Sequence, residues 1–183
     1  MRVIAGTAKG LRLGVVPRGV RPVSDVAREG IFSSLAADVP GARVLDLYAG
    51  TGAMGIEALS RGSASATFVE RNRGALRAIR DNVERARVAL SATVVASSVQ
   101  RFLMRDDRSS GPFDLVFADP PYETTPDEVS EVLARLDDGW LAERWTVVFT
   151  RSSRSSTHVI PVDWPIARRL EYGDTLVLVY GRR

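Results

Sequence analysis

The stretch that most restricts what this chain can fold into runs from Arg43 to Gly55, RVLDLYAGTGAMG. Val44, Leu45 and Leu47 make a short apolar run of the kind a buried strand needs. Gly50, Gly52 and Gly55 follow at once, so strand, tight turn and helix succeed one another without a linker. Such a unit belongs to an open α/β sheet: the glycines let the backbone pass close to a ligand, and the first N–H groups of the helix point at it. A second strand-like run, Ala66 to Val69, ends in Glu70. An acid about 20 residues after the first glycine can accept from both hydroxyls of a ribose. The spacing is G-x-G-x-x-G, and by that motif alone a nicotinamide or flavin enzyme is a fair reading.

Two features count against it. Asp46 stands four residues before the first glycine, where a pyrophosphate gains nothing from a negative charge and a cationic ligand would welcome it. Far downstream, the apolar run Phe113 to Ala118 delivers Asp119-Pro120-Pro121-Tyr122. Ligands of open α/β sheets bind at the carboxyl ends of strands, so Asp46, Glu70 and Asp119 are expected to converge on one edge.

These motifs resemble those of class I S-adenosylmethionine-dependent methyltransferases that modify exocyclic amines. The closer resemblance, over nearly the whole chain, is to bacterial small-subunit ribosomal RNA guanine-N2 methyltransferases. It is carried by Arg2-Val3-Ile4-Ala5-Gly6 with Lys9, Gly10 and Leu13, by Arg21-Pro22 with Asp25, Arg28 and Glu29, and by Tyr172-Gly173-Asp174-Thr175. The resemblance implies an α/β, Rossmann-like, seven-stranded and mostly parallel sheet whose last strand is antiparallel. It implies that Asp119, Pro120, Pro121 and Tyr122 are catalytic. Asp46, Tyr48, Gly50, Thr51, Gly52, Gly55, Glu70, Arg71, Ser98 and Val99 are implied to hold S-adenosylmethionine, with Ser98 where relatives commonly carry Asp or Asn for the adenine amine. It further implies that Arg2, Lys9, Arg12, Arg21 and Arg28 meet RNA. The chain departs from the pattern at Val23-Ser24-Asp25-Val26, where an arginine is missing.

At 183 residues and 45% hydrophobic content the chain suits one well-buried core rather than two ordinary domains. The expected division is an extended or hairpin RNA-binding appendage over residues 1–23 and a methyltransferase domain over 24–183. There is no cysteine, which excludes disulfides and thiolate metal sites, and no metal is expected. No apolar stretch is long enough to span a bilayer and no signal peptide is apparent, so a cytoplasmic monomer is expected. Net charge is only +3, but Arg2, Lys9, Arg12, Arg18 and Arg21 all precede the first acid, Asp25. A basic arm of that kind suits a polyphosphate partner, here small-subunit ribosomal RNA or the assembling subunit.

The other expected elements are a helix from Asp25 to Ala37 with Val26, Ile31, Phe32 and Leu35 inward, and an amphipathic helix from Arg71 to Val88. A strand over Thr93–Ala96 and a short helix through Phe102 and Leu103 follow. A helix over Asp127–Leu136, a turn or short helix over Gly139–Glu143 and a strand over Trp145–Thr150 come next. Arg151 to Thr157 reads as a loop, and Ala167–Tyr172 with Leu176–Tyr180 as a closing hairpin. Glu57 suits the helix dipole and is expected to be structural. His158, the sole histidine, lacks companions for a metal site. Competing functions are an adenine-N6 or cytosine-N4 methyltransferase on DNA or another RNA, and a non-catalytic RNA-binding assembly factor.

Overall fold

A computed structural model describes residues 1–14, 23–121, 123–152 and 164–182. Its strands are β1 (Arg43–Leu47), β2 (Ser65–Glu70), β3 (Ala92–Ala96), β4 (Phe113–Ala118), β5 (Leu141–Ser152), β6 (Ile166–Tyr172) and β7 (Thr175–Arg182). Its helices are α1 (Asp25–Ser34), α2 (Ala53–Ser60), α3 (Arg73–Arg85), α4 (Val99–Leu103) and α5 (Pro126–Asp137). The strands form one seven-stranded sheet in the order β3-β2-β1-β4-β5-β7-β6. Pairings among β1 to β5 are parallel, and β7 runs antiparallel to both β5 and β6.

That order places the site. The chain leaves β1 for β2 on one side and later returns to β4 on the other, so a crevice opens beyond the carboxyl ends of β1 and β4. Leu47 pairs with Ala118, so the glycine turn after β1 and the Asp-Pro-Pro run after β4 start level with one another.

Strand alternation splits the core into two layers. Leu115 and Phe117 face the cluster built by Ile31 and Phe32 of α1, Ile56 and Leu59 of α2, and Ile79 and Val83 of α3. Val116 and Ala118 face the cluster of Phe102 and Leu103 on α4 with Val129, Val132 and Leu136 on α5. Trp140, Trp145 and Trp164 are buried in that second layer.

Helix ends follow local chemistry. Ser24 caps α1 by accepting from the Ala27 N–H at 3.2 Å. Thr125 and Glu128 form a reciprocal capping box on α5. Several expected boundaries move. Helix α1 stops at Ser34 rather than Ala37. Val26, expected inward, is 70% exposed because Ala27, Ile31, Phe32 and Leu35 define the buried stripe. Leu141 to Glu143 belong to β5, not to a turn, and Arg151 and Ser152 extend that strand instead of opening a loop. The remainder of that loop, His158 and the stretch over 17–22 lie outside the described residues.

The N-terminal arm folds back on itself, with one antiparallel bridge between Arg2 and Arg12. It is docked on the body rather than held apart. The Glu57 carboxylate accepts from the N–H groups of Ile4 at 2.7 Å and Ala5 at 3.0 Å, and from Arg61 Nε at 2.7 Å. Ser60 Oγ donates to the Ala5 carbonyl and accepts from the Ala8 N–H at 2.9 Å. Asn82 accepts from the Gly14 N–H at 2.8 Å, and Arg85 donates to the Arg12 carbonyl at 2.7 Å. Glu57 is therefore structural, as expected, but for a different reason: it lies beyond the first turn of α2 and anchors the arm.

Candidate active site

The turn after β1 is strained where it meets the crevice. Tyr48 adopts φ 57° and Gly52 φ 76°, a left-handed conformation that is costly for a tyrosine and natural for a glycine. A Cβ on Gly55 would stand 2.3 Å from the Phe68 ring, so the third glycine lets α2 lie against β2.

Asp46 shares a strand face with Val44, which directs it under α2, where its Oδ2 accepts from the Gly55 N–H at 2.9 Å. It is buried, and burial pushes its carboxyl up to about 8, with the charges of Asp119 and Glu70 adding to the rise and the Gly55 hydrogen bond opposing it. Glu70, at the end of β2, accepts from Gly50 N–H at 2.9 Å through Oε2, and from Arg71 at 2.8 Å and Asn72 at 2.7 Å through Oε1. An ionised carboxylate offers about four lone-pair sites. Glu70 thus ties the strand end to the glycine turn and keeps room on Oε2 for one more donor.

A cavity of about 420 Å³ opens here, within the range of small-molecule sites. Tyr48, Gly50, Glu70, Arg71, Ser98 and Val99 line it together with Asp119, Pro120 and Pro121. Val23, Arg151 and Thr175 are among its other lining residues. Asp46, Thr51, Gly52 and Gly55 do not reach the surface of the cavity. They support the turn from behind, with the Thr51 carbonyl held by Asn82 Nδ2 at 3.0 Å. Tyr48 is half-buried, and burial first, then the charge of Glu128, push its phenol up to about 12. The Thr150 hydroxyl donates to Oδ1 of Asp119. Tyr122 lies outside the described residues.

At the end of β3 the two serines have different roles. Ser98 Oγ accepts from the Arg101 N–H at 3.2 Å and so caps α4. Ser97 lines the same cavity, and its Oγ is buried and has no hydrogen-bond partner. Sequence reasoning passed over Ser97 and Thr150. Their only local signal was a hydroxyl placed at the end of an apolar strand.

The residues expected to meet RNA are not brought to one surface. Arg2, Lys9 and Arg12 are exposed on the arm. Arg28 is fully buried: its guanidinium donates to Asp25 at 2.9 Å and to the Arg2 carbonyl, and lies 4.0 Å from Glu57. Burial lowers its pKa, against the charges of Asp25 and Glu57. A side chain with no accessible surface does not touch RNA here, and Arg28 instead helps hold the arm to α1. Arg21 lies outside the described residues.

Residues 1–181 match the model of a protein family described as Conserved hypothetical protein 95. The chain belongs to this family. An Escherichia coli K12 relative named Ribosomal RNA small subunit methyltransferase D is 32% identical over 184 residues, covering 100% of this chain and 90% of its own. YlbH of Bacillus subtilis 168 is 32% identical over 185 residues, covering 100% of both chains. Among solved structures, yhhF of Escherichia coli matches with a TM-score of 0.85 and 33% identity, over 100% of this chain and 98% of that one.

The site residues of this family member fit S-adenosylmethionine on physical grounds. Three carboxylates gather at one edge, with Asp46 pushed up first by burial and further by the negative charge of the other two. A ligand bearing a sulfonium and an ammonium relieves that excess. Glu70 has acceptor capacity for a ribose hydroxyl, and Ser97 brings a buried hydroxyl still lacking a partner.

Proposed function

We propose that this protein methylates the exocyclic N2 amine of a guanine in small-subunit ribosomal RNA. The coarser statement, an S-adenosylmethionine-dependent ribosomal RNA methyltransferase, is supported by the full-length relatives named as ribosomal RNA methyltransferases and by the acid-lined cavity. The observation that carries the chemistry is the meeting of Asp119-Pro120-Pro121 with Glu70 and Gly50 around one cavity.

Bound S-adenosylmethionine supplies an electrophilic methyl group. An exocyclic amine is a weak nucleophile because its lone pair is delocalised into the ring. The Asp119 carboxylate and the Pro120 carbonyl accept from its two N–H groups, which turns the lone pair out of the ring plane and toward the methyl carbon. Pro120 and Pro121, with φ fixed by their rings, stiffen that carbonyl. As the nitrogen gains its methyl it gives up one proton, along the hydrogen bond to Asp119. The resemblance gives Tyr122 the role of stacking on the base, an interaction of about 1–3 kcal/mol that offsets the cost of extruding it. Most of the acceleration is then positioning.

Guanine is favoured by the resemblance of the flanking runs, of which Thr175 lines the same cavity as Asp119. RNA contact is supported by Arg2 and Arg12. They pair across the arm with both side chains exposed, while Val3 and Leu13 face the core. Two adjacent guanidinium groups repel one another until a polyanion neutralises them.

The test is transfer of label from S-adenosylmethionine to small ribosomal subunits from cells lacking the gene, followed by nucleoside analysis, with Asp119→Ala alongside. Label as N2-methylguanosine that vanishes in the variant is the expected result. Label on adenine or cytosine overturns the base, and label unaffected by Asp119→Ala overturns the mechanism.

A further inference from the structure

Thr150 surrounds the site without lining it. It follows Val147, Val148 and Phe149 in β5 and is 3% exposed. A hydroxyl taken out of water is unfavourable unless it finds a partner, and valine would fill the same space without that cost. The partner is Asp119, whose Oδ1 accepts from the Thr150 hydroxyl.

The sheet explains the meeting. Ala118 pairs with Phe149 across β4 and β5, so the next residues, Asp119 and Thr150, are level. Alternation sends both to the face shared by Phe117 and Val148. On its other side Thr150 pairs with Val177, whose side chain offers no competing acceptor.

The Thr150 hydroxyl bears directly on how the Asp119 carboxylate is oriented. The prolines after Asp119 stiffen the main chain, but a carboxylate on its own bond rotates in a broad well. Its charge also bears on the buried Asp46 carboxyl, which it helps to push up. We propose that Thr150 is a positioning residue for the reaction: its hydroxyl holds the Asp119 carboxylate in the orientation that receives the substrate amine. This rests on the role given to Asp119 above.

Positioning errors lower the rate of the bound complex more than they weaken binding. Thr150→Val keeps the shape and removes the hydroxyl; Thr150→Ser keeps the hydroxyl and removes a methyl. Both are compared with wild type for kcat and KM on small ribosomal subunits from cells lacking the gene, and for S-adenosylhomocysteine affinity by calorimetry. Thr150→Val is expected to lower kcat about tenfold to hundredfold, the loss for one hydrogen bond to a charged group. S-adenosylhomocysteine affinity and melting temperature should hold, and Thr150→Ser should recover most of the rate. Wild-type kcat in Thr150→Val overturns the proposal. So does an equal loss in both variants, which reports packing, or a fall in S-adenosylhomocysteine affinity that matches the fall in kcat. Asp119→Ala separates the two claims: inactive beside a normal Thr150→Val, it leaves Asp119 standing and removes Thr150; fully active, it removes both.

Discussion

Two buried carboxylates touch the same short helix and live by opposite rules. Glu57, within α2, is fully buried and meets Arg61, two arm N–H groups and, at 4.0 Å, Arg28. Asp46, beneath the start of α2, is as deeply placed but has one backbone donor and two other carboxylates for company. Nothing about an acid in isolation distinguishes them. Glu57 is compensated from within the chain and holds the fold together. Asp46 is uncompensated, its carboxyl pushed up first by burial and then by two neighbouring charges, and a cationic ligand nearby would relieve it.

Breaking the compensated side should have the largest effect. Glu57→Ala leaves buried Arg28 with Asp25 as its one remaining carboxylate, strips the Ile4 and Ala5 N–H groups of their acceptor, and should cost about 3–5 kcal/mol of stability. Urea unfolding measures it, and a loss no larger than that of an exposed acid would mean the arm is not anchored there. On the ligand side, Glu70→Ala removes an acceptor for the ribose and the tie to Gly50. S-adenosylhomocysteine affinity, by calorimetry, should fall about tenfold to hundredfold.

Asp46→Asn sharpens the contrast through pH. The folded protein holds this carboxyl well above its ordinary value, so between about 4 and 8 the folded state binds more protons than the unfolded one. Its contribution to stability is therefore present at low pH and lost as pH rises through about 8. Melting temperature should drop from pH 6 to pH 9 in wild type and drop less in Asp46→Asn. Parallel curves would show that Asp46 is not perturbed as described.

The smallest effect belongs to the exposed arm. Arg2→Ala and Arg12→Ala should each weaken RNA binding modestly and reduce the slope of log K against log salt by about 1, leaving S-adenosylhomocysteine affinity unchanged. An unaltered slope would remove the arm from the RNA interface. Point substitutions serve better than deletion of the arm, because deletion also uncovers Glu57 and Arg28.

Much of the scaffold was legible because its causes are local. Three glycines after an apolar run mark the β1 turn, a 3.6-residue stripe of Leu76, Ile79 and Val83 marks α3, and an apolar run ending in Asp119 marks β4. Boundaries drifted where continuation depends on neighbours. Leu141 to Glu143 become strand because β4 lies alongside, with Leu141 paired to Phe113. Arg28, given to RNA by the resemblance, is buried instead, because it packs against Glu57 and the Arg2 carbonyl, both remote in the chain.

What the sequence by itself determined was the inventory and the order: a strand–glycine–helix unit, an acid after the second strand, an Asp-Pro-Pro-Tyr run after the fourth. Periodicity and turn chemistry act over a few residues, so they survive without the fold. Only the tertiary structure decided which charges are satisfied. It set Arg28 between Asp25 and Glu57, used Ser98 for a helix cap while leaving the buried Ser97 hydroxyl without a partner, and set Thr150 level with Asp119. Those outcomes depend on sheet register and burial, and the energy of a buried charge or hydroxyl is set by whichever distant group is packed against it.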